Sequence, residues 1–468
     1  MENKKNIIFN VIWSLLGQFA FMFIMFFANI LLAKKLSPIE FGQIGIVMFF
    51  VNLFNVLIES GLGGALIRKE NVKKIDYSTV FVFNLMISII LYFILFISSP
   101  YIANFYNDST LTQILQFTGI ILLINAFQIT QNTKLIKELQ FKKLTLYRII
   151  SVVISSIIGI FLAYITNIGV WSIVIMQVLN VFINTILLNI DLGRINEMKF
   201  SKDSFLSLYK FGVNTTLASI LNTIFENIYN LVLGKYFSVA STGYYYQAKK
   251  IQDVPVNIIN TLNHGVIFST LSKAQSNTSS FFELYKMIFK YLIFVIGFVS
   301  LGMYLFSETI ILTVLGEKWN ESALFMQYLS AFSFFFLLEQ YNRVIFKVFN
   351  QTHRILQLEV IKKTIQFISI IIGVYLSSLE ILMQGFVIIS IISYAINYYT
   401  IKKEFEFVDG YEIIQLFKIL LIVSVLIIVF KYIKFTEPLK MVLYVVLYLI
   451  MGFLLKFISL VELKKIKL

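Results

Sequence analysis

Long apolar runs separated by short polar segments repeat along the whole chain. Most runs are about 20 residues long, which is the length that an α-helix needs to cross a bilayer. They lack the strict alternation of a half-buried strand, and a helix satisfies its own backbone hydrogen bonds, so the pattern predicts an all-α integral membrane protein. We predict about fourteen transmembrane helices, at residues 8–33, 41–63, 79–99, 111–131, 146–165, 169–190, 209–235, 243–271, 286–314, 322–349, 355–377, 380–400, 413–433 and 437–459.

The composition excludes a water-soluble protein. Apolar residues make up 58% of the chain and charged residues 14%, with a mean hydropathy of +0.83, and such a chain cannot cover a water-exposed surface. The stretch "MENKKNIIFNVIW" begins like a signal peptide, but the apolar run 7–33 is too long for one, so we expect a retained first helix. With no cysteine and two isolated histidines, His264 and His353, we expect no metal site and no cofactor.

The distribution of Lys and Arg tests the predicted number of helices, because cytoplasmic loops are enriched in positive charge. With fourteen helices, most of the 39 basic residues fall on one side of the membrane, together with both termini. The opposite side holds only Lys34, Lys35, Lys235, Lys318, Lys431, Lys434 and Lys440. We therefore predict cytoplasmic N- and C-termini. Topology and contact with anionic membrane lipids explain the net charge of +14, so no nucleic-acid partner is expected.

One short pattern occurs twice in the chain. The stretch "NILLAKKLSPIEFGQIGIV" begins at Asn29, and "NLVLGKYFSVASTGYYYQA" begins at Asn230, an offset of 201 residues without gaps. Identical residues stand at Asn29 and Asn230, Leu32 and Leu233, Lys34 and Lys235, Ser37 and Ser238, and Gly42 and Gly243. The pattern indicates either a duplication or two helix hairpins that share a turn by chance.

A duplication of this length predicts how the helices are grouped. Residues 1–200 would form an N-terminal six-helix lobe and residues 201–405 a C-terminal one, with two additional transmembrane helices in residues 406–468. Parallel repeats with an even number of helices are related by an axis along the membrane normal. We therefore expect two pseudo-symmetric lobes around a central cavity.

Five stretches carry a family resemblance. They are "LSPIEFGQIGI" (36–46), "ESGLGGALIRKE" (59–70), "YSTVFVFNL" (77–85), "STGYYYQAKKIQDVP" (241–255) and "LGEKW" (315–319). In this order and spacing they resemble the Wzx-type polysaccharide biosynthesis flippases of the multidrug/oligosaccharidyl-lipid/polysaccharide exporter superfamily. The similarity covers nearly the whole chain.

The resemblance implies a function, a substrate and a location. Such flippases carry oligosaccharides, usually linked to undecaprenyl pyrophosphate, from the cytoplasmic to the outer face of the bacterial plasma membrane by alternating access. For this chain it implies transport of an O-antigen, capsule or exopolysaccharide repeat unit, and no enzymatic activity. Expected partners are the lipid-linked oligosaccharide, membrane lipids, a coupling H⁺ or Na⁺, and the glycan polymerase machinery.

Three basic residues inside predicted spans are candidates to bind the diphosphate of such a substrate. Lys249 and Lys250 lie in the eighth predicted span, and Arg343 lies midway along the tenth. Intramembrane cations mark substrate sites or buried ion pairs. The alternative is a structural role, because Lys249 with Asp253 and Glu339 with Arg343 have the i,i+4 spacing of helical ion pairs.

Three acids lie deepest in predicted spans and are candidates for ion coupling: Glu59, Glu226 and Glu339. A carboxylate held away from water can take up and release a proton during a transport cycle. Glu226 has the stronger case, since it shares one helix face with Asn222 and Asn230. For Glu59 the alternative is a helix-end residue beside the basic loop "IRKENVKK".

One residue departs from the family pattern, and several alternative functions remain. Family members often carry an aspartate where this chain has Tyr229, which argues against ion coupling at that position. A cation-coupled multidrug antiporter and a lipid II flippase of the same superfamily are the alternative functions. A glycan polymerase or ligase is disfavoured because the longest predicted outer loops, "SPYIANFYNDST" and "KFTEPLK", are short. No nucleotide-binding phosphate loop is present to power a primary pump.

Overall fold

The computed structural model describes residues 2–192, 198–405 and 409–458. In these residues every regular element is helical, so the predicted all-α class is confirmed. The chain divides into two compact units, Met1–Tyr246 and Gln247–Leu468.

Within the described residues, the first unit contains nine helices and the start of a tenth. They are α1 (Glu2–Lys35), α2 (Pro38–Glu59), α3 (Leu62–Arg68), α4 (Lys74–Tyr106), α5 (Thr110–Thr118), α6 (Ile120–Lys137), α7 (Phe141–Ile165), α8 (Trp171–Leu192), α9 (Lys202–Tyr236) and α10 (Val239–Leu262).

The second unit contains the rest of α10 and the helices that follow it. They are α11 (Phe268–Ala274), α12 (Thr278–Leu305), α13 (Ser307–Val314), α14 (Ser322–Val348), α15 (Thr352–Tyr375), α16 (Leu379–Glu404), α17 (Tyr411–Tyr432) and α18 (Glu437–Leu454).

The fourteen predicted spans correspond in order to helices of the structure. Among the described residues, eleven segments are long and apolar enough to cross a membrane. Three helices that match predicted spans, α9, α10 and α15, are not among these eleven segments. In α15 the charged side chains of Arg354, Glu359, Lys362 and Lys363 lower the hydropathy. Residue 459, where the last predicted span ends, lies outside the described residues. So do four basic residues of the predicted cytoplasmic side: Arg194, Lys464, Lys465 and Lys467.

Four of the predicted spans are divided in the part of the chain that the structure describes. Between α2 and α3 the backbone has φ values of 44° at Ser60 and 62° at Gly61, in the left-handed region that ends a helix. Gly119 separates α5 from α6, and Phe306 separates α12 from α13. A π-helical turn at Asn263–Ile267 separates α10 from α11. Apolar residues continue past all four positions, which is why hydropathy alone predicts unbroken helices there.

The motif "LSPIEFGQIGI" explains where α2 begins. The Ser37 hydroxyl accepts a hydrogen bond from the Glu40 amide, while the Glu40 carboxylate accepts one from the Ser37 amide at 2.7 Å. This capping box satisfies backbone donors that the first helical turn leaves unpaired. Pro38 occupies the first helical position, where no amide donor is needed.

The two echoed stretches pack against each other within the first unit. A Cβ on Gly42 would lie 1.9 Å from the carbonyl oxygen of Val239, and a Cβ on Gly243 would lie 1.9 Å from that of Pro38. Each of these two contacts becomes the other when 201 is added to or subtracted from the residue numbers. This reciprocal glycine contact supports the predicted duplication, which remains a prediction.

The second unit is built around aromatic residues of α12, α14 and α16. The rings of Tyr285 and Tyr341 stack with centroids 5.1 Å apart, and both side chains are fully buried. The C-terminal helices pack against α12 as well. On α18, Tyr448 donates a 2.8 Å hydrogen bond to the carbonyl oxygen of Phe294, so a buried hydroxyl is satisfied and α18 is anchored.

Candidate functional site

The predicted site residues Arg343 and Glu339 lie on α14 and form ion pairs with α15. The Nη1 atom of Arg343 lies 2.7 Å from Oε1 of Glu359 and 3.8 Å from Oε1 of Glu339. Lys362 donates to both carboxylates, at 3.1 Å to Glu359 and in a closer contact to Glu339. We call these four residues the ion-pair cluster.

The ion-pair cluster contains two bases and two acids, so its formal charges compensate. Glu339 is 5% exposed and Lys362 is 6% exposed. Removing such charges from water is costly, and their pairing offsets much of that cost. The i,i+4 pair of Glu339 and Arg343 is therefore present and is extended by two residues of α15. Substrate contact by Arg343 stays a prediction.

One turn beyond Arg343, Lys347 meets a histidine from the π-helical turn. The Nζ atom of Lys347 lies 3.2 Å from Nδ1 of His264. An ammonium can only donate, so Nδ1 accepts and the ring proton lies on Nε2. His264 and Gly265 are both exposed. The pair therefore presents a positive charge and an N–H donor on the second unit.

The other two predicted cations lie on α10. Lys250 is exposed and Lys249 is half-buried. Asp253 follows one turn after Lys249 and is close enough to interact electrostatically with both lysines. This placement is compatible with both alternatives that the sequence leaves open, an ion pair along the helix or contact with an anionic ligand.

The predicted acids Glu59 and Glu226 lie on two different helices of the first unit. Glu59 is the last residue of α2 and is exposed, directly before the break at Ser60. That position agrees with the helix-end alternative. Glu226 is exposed on α9, whereas Asn230, one turn later, is 4% exposed. The third predicted acid, Glu339, lies on α14 of the second unit.

Amide side chains link α2, α6 and α8 across the first unit. Asn125 Nδ2 donates to Asn55 Oδ1 at 2.8 Å, and Gln128 Nε2 donates to Asn125 Oδ1. Asn184 Nδ2 then donates to Gln128 Oε1 at 2.7 Å. We call these four residues the amide ladder. Interhelical amide bonds stabilise membrane bundles, and the half-buried members also offer donors and acceptors that match sugar hydroxyls.

One buried acid, Glu412 in the first turn of α17, is not among the residues predicted from the sequence. Its side chain is 1% exposed and accepts hydrogen bonds from residues of three other helices. It lies one position before the predicted span 413–433, so hydropathy leaves it in a loop. The sequence feature that could have identified Glu412 is its position at the border of a strongly apolar helix, where a carboxylate needs hydrogen-bonding or charged partners.

Comparisons with known proteins identify relatives of this chain. A family described as "Polysaccharide biosynthesis protein" matches residues 31–324, which is more than half of the chain. The chain is 21% identical to the lipopolysaccharide biosynthesis protein WzxC of Escherichia coli (strain K12), over 86% of this chain and 82% of that protein. It is 27% identical to the teichuronic acid biosynthesis protein TuaB of Bacillus subtilis (strain 168), over 56% of this chain and 55% of that protein.

Solved structures share the fold. The lipid II flippase MurJ in an inward closed conformation superposes with a TM-score of 0.77 at 16% identity, over 94% of this chain and 98% of that chain. An inward-facing multidrug resistance MATE family transporter of the MOP superfamily has a TM-score of 0.61 at 14% identity, over 82% of this chain and 95% of that one. At these identities the likeness shows the fold alone. The match of the family to residues 31–324 shows that the chain belongs to the polysaccharide biosynthesis protein family.

Proposed function

We propose that the protein is a flippase for a lipid-linked oligosaccharide. Its cargo would be an O-antigen, capsule or exopolysaccharide repeat unit on undecaprenyl pyrophosphate, moved from the cytoplasmic to the outer face of the bacterial plasma membrane. The observation that carries the proposal is family membership, together with similarity along most of the chain to a lipopolysaccharide biosynthesis protein. No covalent chemistry on the cargo is part of it.

Physical chemistry sets the requirements for such a protein. A diphosphate and several sugar hydroxyls cannot cross hydrocarbon unaided, because each unpaired ion or polar group costs several kcal/mol to bury. The prenyl chain can remain in lipid, so only the headgroup needs polar protein contacts. The amide ladder supplies hydrogen-bonding groups of the kind a glycan needs, and the basic residues supply positive charge for the diphosphate.

The proposal assigns a role to each predicted site residue. Lys250, Lys249 and Arg343 are the proposed contacts of the diphosphate. Glu226 and Glu59 remain proposed coupling residues for H⁺ or Na⁺. Of the three acids, Glu339 is the least suited to ion coupling, since Lys362 compensates its charge within the ion-pair cluster.

The grouping of helices and the orientation belong to the same proposal. We propose two repeats, 1–200 and 201–405, followed by an addition at 406–468, with cytoplasmic termini. The reciprocal contact of Gly42 and Gly243 supports the repeat. A glycan polymerase, which would use the exported units, is the proposed protein partner.

Rescue of surface polysaccharide in cells that lack their own flippase tests the function. The parent protein should restore surface glycan for at least one member of a panel of lipid-linked glycans. Arg343→Gln and Glu359→Gln form a matched pair, because both break the 2.7 Å ion pair but only the first removes a cation. At equal expression, loss of rescue in Arg343→Gln alone supports diphosphate contact, whereas equal loss in both indicates a structural role.

The same cells distinguish the alternatives. If the parent restores no glycan and instead confers efflux of cationic dyes, the multidrug antiporter replaces the proposal. If it restores growth to cells depleted of their lipid II flippase but restores no surface glycan, lipid II is the cargo.

A further inference from the structure

Glu412 occupies a polar site inside the second unit. Its Oε2 atom accepts hydrogen bonds from Tyr394 Oη at 3.0 Å and from Asn342 Nδ2 at 3.2 Å. Its Oε1 atom accepts a close hydrogen bond from the hydroxyl of Tyr285. The three donors belong to α16, α14 and α12, so one carboxylate on α17 holds four helices together.

The groups that face Glu412 are mostly neutral. In the part of the second unit that the structure describes, its hydrogen-bond donors are two phenols and an amide, and no base forms an ion pair with it. The titratable groups that interact with it are Tyr285 of α12, Tyr341 of α14, Tyr394 and Tyr398 of α16, and Asp409 of the preceding segment, which is itself paired with Lys286 of α12.

Lys286, which follows Tyr285 in the chain, forms an ion pair with a different acid, Asp409. The Nζ atom of Lys286 lies 2.5 Å from Oδ2 of Asp409. Burial alone would raise the pKa of the Asp409 carboxyl, but the hydrogen bond and charge of Lys286 hold this pKa below its ordinary value. Lys286 is therefore already engaged, and the described donors to Glu412 that stabilise its negative charge are all neutral.

This arrangement differs from that of Glu339, the other buried acid among the described residues of the second unit. Glu339 has a permanent counter-charge in Lys362. Among the described residues no base pairs with Glu412, and a buried charge without a counter-ion is costly even when it is hydrogen-bonded. Protonation of Glu412 removes that charge, whereas protonation of Glu339 would leave the ion-pair cluster with two bases and one acid.

The hydrogen bonds can be satisfied with and without the extra proton. The hydroxyl oxygen of Tyr285 lies 3.3 Å from Asn342 Oδ1 as well as beside Glu412. When Glu412 is ionised, Tyr285 donates to its carboxylate. When Glu412 is protonated, its new O–H can donate to Tyr285 Oη while Tyr285 turns its own proton to Asn342. Each hydroxyl keeps an acceptor in both states.

We propose that Glu412 is a proton-binding site that is loaded from water and unloaded to water once in each transport cycle. Its role in transport rests on the proposed flippase function, but the site itself does not. The ionised form holds α17 through charge-assisted hydrogen bonds, which are about twice as strong as neutral ones. Protonation therefore loosens α17 from α12, α14 and α16, and this links proton binding to helix movement.

Infrared difference spectroscopy of the purified full-length protein tests the site without any substrate. A change of pH should produce a carboxylic-acid C=O band that is absent in Glu412→Gln. Glu437→Gln is the matched control, because Glu437 stands in the first turn of the next helix but is partly exposed and bonded to Lys440 at 2.7 Å. If the parent shows no carboxylic-acid band beyond those that Glu412→Gln also shows, the proposal is overturned.

Two further measurements separate proton binding from a structural role. Tyr394→Phe removes one donor and leaves the carboxyl in place. The band should therefore remain, but the pH at which it reaches half its full intensity should shift. Glycan transport by the parent should depend on pH, and the pH profile of Glu412→Gln should be flat. A Glu412→Gln profile parallel to that of the parent, lowered by one constant factor, contradicts a proton-carrying role. If the parent transports no glycan, the flippase function fails and the infrared result still decides the site.

Discussion

Lys362 donates to two carboxylates from a position that is 6% exposed. Replacement by Met keeps most of the side-chain volume but leaves Glu339 buried with Arg343 as its remaining counter-charge, 3.8 Å away. We expect Lys362→Met to destabilise the second unit by about 3–5 kcal/mol, the usual cost of breaking a buried ion pair. Thermal and denaturant unfolding of the purified protein in detergent measures this loss.

Two further variants make that measurement specific. Adding Glu339→Gln to Lys362→Met should recover much of the loss, because it removes the uncompensated buried charge. Lys440→Met breaks a more exposed pair with Glu437 and should cost less than about 1 kcal/mol. Equal losses in Lys362→Met and Lys440→Met would mean that burial of the ion-pair cluster contributes nothing.

The ion-pair cluster also shows what a single sequence can predict about a site. The pair of Glu339 and Arg343 follows from the geometry of one helix, so its spacing predicts it. Their partners Glu359 and Lys362 come from another helix, and only the packing of α14 against α15 brings them there. Periodicity along one helix carries no information about that register.

Between helices, the reciprocal glycine contact leads to a prediction about stability. We expect Gly42→Ala and Gly243→Ala each to destabilise the first unit by about 1–3 kcal/mol. The reason is that each new Cβ would lie 1.9 Å from a backbone carbonyl oxygen of the partner stretch, which cannot rotate away as a side chain can. Thermal unfolding in detergent measures both changes, and the reciprocal geometry predicts similar losses.

A matched glycine provides the control. Among the described residues, no packing neighbour lies within 4 Å of the position that a Cβ on Gly265 would occupy, so Gly265→Ala should leave the unfolding temperature nearly unchanged. If Gly265→Ala destabilises the protein as much as Gly42→Ala, helix propensity or expression rather than the close contact explains the effect.

Hydropathy predicted where the helices lie, but it did not predict the breaks within them. About 20 apolar residues suffice to identify a span, which is why the fourteen predicted spans find helices in the structure. The break at Ser60–Gly61 and the π-helical turn at Asn263–Ile267 depend on backbone angles and on the packing of neighbours. A Cβ on Gly212 of α9 would lie 2.6 Å from the Ser60 carbonyl oxygen, a contact that no periodicity reveals.

Two kinds of buried polar cluster join helices in this molecule, neutral amides and charged groups. The amide ladder between Asn55 and Asn184 joins helices of the first unit with neutral side chains. The same unit also buries a charge at Asp76, which is 2% exposed and lies 2.9 Å from Lys69. The second unit uses charges, in the ion-pair cluster and at Glu412. Neutral amides can exchange partners with sugar hydroxyls at little electrostatic cost, whereas carboxylates and bases respond to protons and diphosphates. The amide ladder is therefore better suited to contact a glycan, and the ion-pair cluster and Glu412 are better suited to contact ions.

The asymmetry of basic residues predicts the orientation of the whole chain in the membrane. It places the segment joining α4 to α5 outside and the segment joining α6 to α7 in the cytoplasm. The chain has no cysteine, so a single introduced thiol is the sole target of a maleimide reagent. Ser109 and Glu138 are exposed residues of these two segments. A membrane-impermeant maleimide should label Ser109→Cys in intact cells and Glu138→Cys only after permeabilisation. The reverse labelling would place the termini outside and would also reverse the proposed direction of transport, because the side from which the headgroup is loaded follows from the orientation.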